Sequence, residues 1–186
     1  DDVSFRYEIR LSGEGGQGLV LAGKVLAEAA AIYAGLNATQ SQSYGPEARG
    51  GVSRSEVIIS DDEIDYPKAI AVDLLLALTR ESLMAYHHDL KPDGIVLIDE
   101  SLASAPRPAG ICVEPVPFFR MAEESLGRRL FGNVVAVGVI AGYSNLLPDH
   151  AMRSAVESRA PKGTAEKNLE AFDLGLAVGK RLRAGD

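Results

Sequence analysis

The feature that most constrains this chain is its opening pattern. Residues 5–11, FRYEIRL, alternate apolar and polar side chains, the period of a strand with one face buried. SGEGGQG follows, and then Leu19 to Tyr33, an alanine- and leucine-rich run with helical character. Strand, glycine turn and helix open a doubly wound α/β domain. Gly13, Gly15 and Gly18 spell G-x-G-x-x-G in that context. Glycine lets a backbone turn tightly and lets a ligand come close to it. Amides at the start of the helix, with its dipole, favour an anion such as a phosphate. A turn used only for packing and interfaces is the plainer reading.

A dinucleotide site asks for more. An NAD site carries Asp or Glu roughly 20 residues further on, to hold the ribose hydroxyls. Here that region reads GLNATQSQ, without an acid, and Glu28 comes too early, inside the helix. An NADP site wants a basic residue nearby, and the first arginine after the turn is Arg49. The segment 37–51 reads as a long polar loop. Glu14, inside the turn, is expected to point outward, away from a bound anion.

The rest of the chain continues the α/β pattern. Strands are expected at 53–60, 72–78, GIVLIDE and GICVEPV, and Pro92, Asp93 and Gly94 read as a turn. Thr79 or Ser82 is expected to open a helix after the strand at 72–78. Further helices are expected at Met121–Leu130, in NVVAVGVIAGYSNLL, after Pro148, and in GTAEKNLEAFDLGLAVGKRLR. Small residues at Ala136, Gly138, Gly142, Gly175 and Gly179 suit close helix packing, although each helical glycine costs about 1 kcal/mol of propensity. No repeat or linker divides the sequence. The expected fold is a single-domain open, mostly parallel sheet with flanking helices and a Rossmann-like beginning.

Composition narrows the function. The 186 residues suffice for one ordinary core. The net charge of -7, with no dense Lys/Arg stripe, lacks the electrostatic footprint of a nucleic-acid binder. The polar start and the shortness of VVAVGVIAGY give no signal peptide and no membrane span, so a cytoplasmic location is expected. A single cysteine, Cys112, excludes an intrachain disulfide, and a Cys-held cluster or zinc site built by this chain alone. Its apolar setting predicts a buried thiol. Thiamine diphosphate sites carry a G-D-G…N motif, and the sequence has no GDG.

A second informative stretch is SQSYGPEARGGVSRSEV, from Ser41 to Val57. It holds hydroxyls, a carboxylate and two arginines, with little to bury, which is how binding loops look. Tyr44 could stack on a ring or pack a subunit contact. Glu47 and Arg49 could pair with each other. Arg49 could instead grip a carboxylate or phosphate, with Gly50 and Gly51 leaving room for it.

GEGGQG, SYGPEARGG and the later EAFDLG together resemble the gamma subunit of the 2-oxoacid:ferredoxin oxidoreductases. In some members, including pyruvate:ferredoxin oxidoreductases, the corresponding domain is fused into a longer chain. The resemblance runs from Phe5 to Gly179, and SYGPEARGG is far more specific than the glycine turn. ISDDEIDYP, residues 59–67, is similar to the branch that handles 2-oxoglutarate. The resemblance implies one part of a multisubunit enzyme. Such a complex decarboxylates a 2-oxoacid on thiamine diphosphate with Mg, passes electrons through iron–sulfur clusters to ferredoxin, and gives the acyl group to coenzyme A. The implied partners are alpha and beta subunits, with delta in some complexes, and ferredoxin reached through the complex; self-association is a further option. The resemblance implies no cofactor bound by this chain alone, no catalytic residue and no metal ligand. The matching positions are Gly13, Gly15, Gly16, Gln17 and Gly18 in the first loop, and Ser43, Tyr44, Gly45, Pro46, Glu47, Arg49, Gly50 and Gly51 in the second. Gly13, Gly15, Gly16, Gln17, Gly18, Ser43, Tyr44, Glu47 and Arg49 are the candidate contacts to coenzyme A or to partner chains.

The alternatives are an independent Rossmann-type NAD(P)-binding oxidoreductase and a pure scaffold or dimerisation subunit. The remaining polar clusters read as surface. His87, His88 and Asp89 suit a solvated helix end, since adjacent helical side chains diverge. His150 reads as a surface or helix-start residue, and Asp61, Asp62, Glu63 and Asp65 as a solvated turn or a contact to a basic partner. Arg128 and Arg129, beside Phe131, read either as a helix end facing water or as a docking contact to a partner.

Overall fold

The computed structural model describes residues 4–43 and 52–186. The chain is α/β, and it divides into two compact units interleaved in sequence. One unit comprises Asp1–Gly23 with Leu36–Val116, and the other Lys24–Gly35 with Pro117–Asp186.

The first unit holds a six-stranded open sheet of order β2-β3-β1-β4-β5-β6. Its strands are β1 (Arg6–Gly13), β2 (Asn37–Ser43), β3 (Ser53–Ser60), β4 (Val72–Ala77), β5 (Leu90–Asp99) and β6 (Cys112–Val116). β1, β4, β5 and β6 run parallel, while β3 pairs antiparallel with both β1 and β2. β4 and β5 are near-continuous apolar runs because neighbours pair on both sides and both faces are covered. On one face Leu75, Ala77, Val96 and Ile98 pack with Leu83 and Tyr86 of α2 (Arg80–Tyr86). Thr79 caps that helix, its Oγ1 accepting from Ser82 N at 3.1 Å. α1 (Leu19–Glu28) continues as a π-helical turn through Tyr33. Gly23 lets α1 approach β3, where a Cβ would run into Ser55 Oγ.

The second unit is helical: α3 (Phe118–Leu126), α4 (Gly132–Ser144), α5 (Asp149–Arg159) and α6 (Ala165–Ala184). Every residue of α4 from Gly132 to Gly142 is buried. The expected glycine packing is present and reciprocal. A Cβ on Gly138 or Gly142 would fall within 3.0 Å of the α6 backbone, and one on Gly175 or Gly179 within 3.0 Å of the α4 backbone. Phe172 is fully buried. EAFDLG is therefore a packing motif whose Gly175 is set against the Val135 backbone.

Four expectations change. Residues 37–43 form an edge strand instead of loop; their polar NATQSQS sequence hid it because one side of an edge strand faces solvent. Pro92, Asp93 and Gly94 lie within β5, where the register shifts from Val72↔Leu90 to Leu74↔Ile95, so the turn signal marks a bulge. α3 starts at Phe118, not Met121, and ends at Leu126, not Leu130, where Gly127 follows in the left-handed conformation. Cys112 is exposed, because it begins the other edge strand, while the adjacent Ile111 and Val113 pack on the core. No helix among the described residues is long and apolar enough to cross a membrane.

Candidate functional site at the glycine-turn end of the sheet

The six glycine-turn residues do different work. A Cβ on Gly13 would meet the Gln17 side chain, Leu19 and Leu78, so this glycine serves close packing of turn, helix and β4 end. Around Gly15 and Gly16 no described residue stands within 4 Å of an added Cβ. Gly16 and Gly18 have φ of 85° and 77°, which only glycine adopts without strain. Gln17 closes the turn on itself: its Oε1 accepts from Glu14 N at 2.7 Å. That amide is therefore used within the turn. Glu14 is exposed, as its charge required.

The turn stands where the strand order reverses direction. β1 has antiparallel β3 on one side and parallel β4 on the other, and α/β sheets bind ligands at such switch points, beyond the carboxyl ends of the strands. The register carries this end of the sheet sideways: Gly13 pairs with Ser53, and Arg54 pairs with Ser43. Ser43 and Val52, which flank the second loop, are thus brought to the same end as the glycine turn. Tyr44, Glu47 and Arg49 lie outside the described residues, with Gly45, Pro46, Gly50 and Gly51.

Hydroxyls fasten this junction. Ser12 Oγ donates to Ser53 O at 2.9 Å and lies 2.9 Å from Ser82 Oγ, which contacts Thr79 Oγ1 at 2.8 Å. Ser53 Oγ donates to Gly13 O at 2.9 Å. β1, β3 and the start of α2 are locked together here.

Behind the junction lies a buried charge network that the sequence did not disclose. Glu8, Arg10 and Ser12, the polar half of the alternating first strand, are 2%, 1% and 0% exposed. Arg10 Nε donates to Glu56 Oε1 at 3.1 Å, Nη1 to Asp89 Oδ2 at 2.5 Å, and Nη2 to Ala69 O at 2.9 Å. Its guanidinium also lies 5.1 Å from the Tyr86 ring centre. Glu56 accepts a second guanidinium, Arg54 Nε at 3.1 Å, and Arg54 Nη2 donates to Ser43 Oγ at 3.2 Å. Glu8 Oε2 accepts from Ala71 N at 2.8 Å. The strand alternation was the available signal; it gave the period but not that both faces are covered.

Asp89 is thereby removed from the solvated helix end expected of His87, His88 and Asp89. The two imidazoles contact each other, with ring centres 3.7 Å apart. Burial, and then the charge of His88, lower the His87 pKa below its ordinary 6.5. Arg129 is exposed at the helix end, as expected, and pairs there with Glu123 at 3.2 Å and lies over Phe119.

The strand after α1 also explains the missing ribose acid. In a dinucleotide fold that strand lies parallel beside β1. Here it is β2, antiparallel to β3 and separated from β1 by it. The Rossmann-like beginning ends with α1.

Comparison with known proteins gives the family and agrees with the fold. The model of the pyruvate ferredoxin/flavodoxin oxidoreductase family matches residues 8–178. The chain belongs to that family. It is similar to the 2-oxoglutarate synthase subunit KorC of Methanocaldococcus jannaschii, 45% identical over 182 residues that cover 97% of each chain. Among solved structures, the gamma subunit of a keto/oxoacid ferredoxin oxidoreductase from Geobacter sulfurreducens superposes with a TM-score of 0.83 and is 44% identical, over 94% of this chain and 98% of that one. A 2-oxoglutarate:ferredoxin oxidoreductase from Magnetococcus marinus carries the same fold at 24% identity and a TM-score of 0.79; the match covers 94% of this chain and 31% of that chain.

Proposed function

We propose that this chain is the gamma-type subunit of a multisubunit oxidoreductase that converts 2-oxoglutarate and coenzyme A to succinyl-CoA and CO2 while reducing ferredoxin. The near full-length likeness to a KorC subunit supports this assignment over an independent NAD(P) enzyme. The family match runs through both compact units and supports reading them as one gamma-type domain. Its partners are the alpha and beta subunits, with delta where present, and ferredoxin reaches it through them. Thiamine diphosphate, Mg and the iron–sulfur clusters belong to those other chains. We place the complex in the cytoplasm.

Within the complex, this chain binds and orients. Gly13, Gly15, Gly16, Gln17 and Gly18, with Ser43, Tyr44, Glu47 and Arg49, form the surface that meets coenzyme A or the adjoining subunit. The observation that carries this is the register: Gly13↔Ser53 and Ser43↔Arg54 set the roots of both loops at one sheet end. The space left over Gly15 and Gly16 by the described residues fits an anionic group drawn close to the backbone. Arg49 supplies positive charge there in an acidic chain. Steady-state kinetics of the assembled complex test the reading. Arg49→Ala is expected to raise KM for coenzyme A with kcat little changed. An assembled complex with unchanged KM removes Arg49 from ligand contact and favours the scaffold role.

A further inference from the structure

A cavity opens beside the sheet face that carries Arg10, Arg54 and Glu56. The register puts Thr39, Ser41 and Ser43 of β2 on the same face as Glu56 and Arg54 of β3 and Arg10 of β1. With Gln40, Gln42 and the segment from Pro67 to Ile70, these residues line the open cavity, of about 600 Å³. That volume lies in the range of small-molecule sites. α1 approaches the sheet on the Ser55 face, opposite Arg54 and Glu56; Gln40 also borders the cavity, and Ser43 is shared with the proposed glycine-turn surface.

Its electrostatics are built in. Glu56 is held by two guanidiniums and by Ala69 N at 3.2 Å, and Arg10 has Asp89 as its second carboxylate. Both carboxylates are thus engaged by Arg10 and Arg54, and Lys68 adds a further cation on the lining. Its ammonium has no hydrogen-bond partner among the described residues. Arg54 is pre-oriented, with Nε on Glu56, Nη2 on Ser43 Oγ and its guanidinium 5.7 Å from the Tyr86 ring centre. Since Ser43 Oγ accepts from Arg54, its own proton remains to be donated. Ser41 brings a further hydroxyl to the lining. Cations and hydroxyl donors converge here in a chain whose net charge is -7.

We propose that this cavity binds a small molecule through one oxyanionic group, a carboxylate or a phosphate. The ammonium of Lys68, the outer edge of the Arg54 guanidinium and the hydroxyls of Ser41 and Ser43 hold it. The buried Arg10–Glu56 pair fixes Arg54 and does not touch the ligand. A guanidinium already locked by a carboxylate loses little freedom on binding an oxyanion.

Calorimetric titration of the full chain with inorganic phosphate and with succinate, at ionic strength held constant by chloride, tests this. Saturable binding of at least one probe is expected. It should weaken tenfold or more in Lys68→Ala and in Arg54→Gln. Lys162→Ala, which removes an exposed cation elsewhere, should bind as the parent does. Lys68→Ala leaves the buried pairs intact, so it decides the matter if Arg54→Gln fails to fold. Phosphate binding the tighter identifies a phosphate ligand, and succinate a carboxylate. No saturable binding of either probe, parent-like binding in Lys68→Ala, or an equal loss in Lys162→Ala overturns the proposal.

Discussion

Arg10 shows how much one residue can hold in place. Its guanidinium joins residues 46 and 79 positions away, on β3 and after α2, with a side-chain exposure of 2%. A buried charge survives only when paired and hydrogen-bonded, and removing one partner leaves the other uncompensated. Glu56→Ala is therefore expected to lower unfolding stability by about 3–5 kcal/mol, measured by urea denaturation. Arg10→Met with Glu56→Leu should cost less than the sum of the singles, because the Arg10–Glu56 interaction is lost only once, while Asp89 and Arg54 each still lose a partner. His87 gives a pH-dependent signature at the same scale. Its folded pKa lies below 6.5, so the unfolded chain binds the proton first as pH falls. Its contribution to stability is complete above pH 6.5 and declines through the window between that value and the lower folded pKa. NMR titration should find the His87 imidazole titrating below 6.5, and closer to that value in His88→Asn.

At the scale of elements, glycines that look alike in sequence separate by role. Those of α4 and α6 replace side chains with backbone-to-backbone contact, and a methyl has nowhere to go. Gly175→Ala is expected to destabilise the chain by at least about 1–3 kcal/mol, read from the denaturation midpoint. Gly15 is the contrast. It has open space and no positive φ, so Gly15→Ala should leave stability within about 0.5 kcal/mol of the parent. If the turn meets coenzyme A, the same change should raise KM for coenzyme A in the assembled complex. A parent-like KM would assign the turn to packing. The helical glycines were legible because their four-residue spacing is a local pattern. β2 was not, because a polar edge strand carries no apolar period and is defined by its pairing with β3.

For the whole molecule, assembly is the property to test. Affinity purification of the chain from its native cells, followed by mass spectrometry, should recover a thiamine-binding chain and a cluster-bearing chain. Tight NAD(P) binding with turnover by the isolated chain would sink the subunit reading. Family and fold class could be read from GEGGQG, SYGPEARGG and EAFDLG. The division of the chain into two interleaved units could not, since α1 passes from one to the other without a break in its helical pattern.

The sequence by itself determined the strand–turn–helix opening, the buried runs of β4 and β5, and the small-residue seam of α4 and α6. Each is written in near-neighbour periodicity or in the conformational freedom of glycine. Only the tertiary structure decided that the polar side of β1 is interior, that Asp89 pairs with Arg10, and that residues 37–43 are a strand. Those outcomes depend on which distant segment supplies a counter-charge or a hydrogen-bonding edge. No local pattern encodes that, because an arginine bound for solvent and one bound for two carboxylates occupy the same place in an alternating strand.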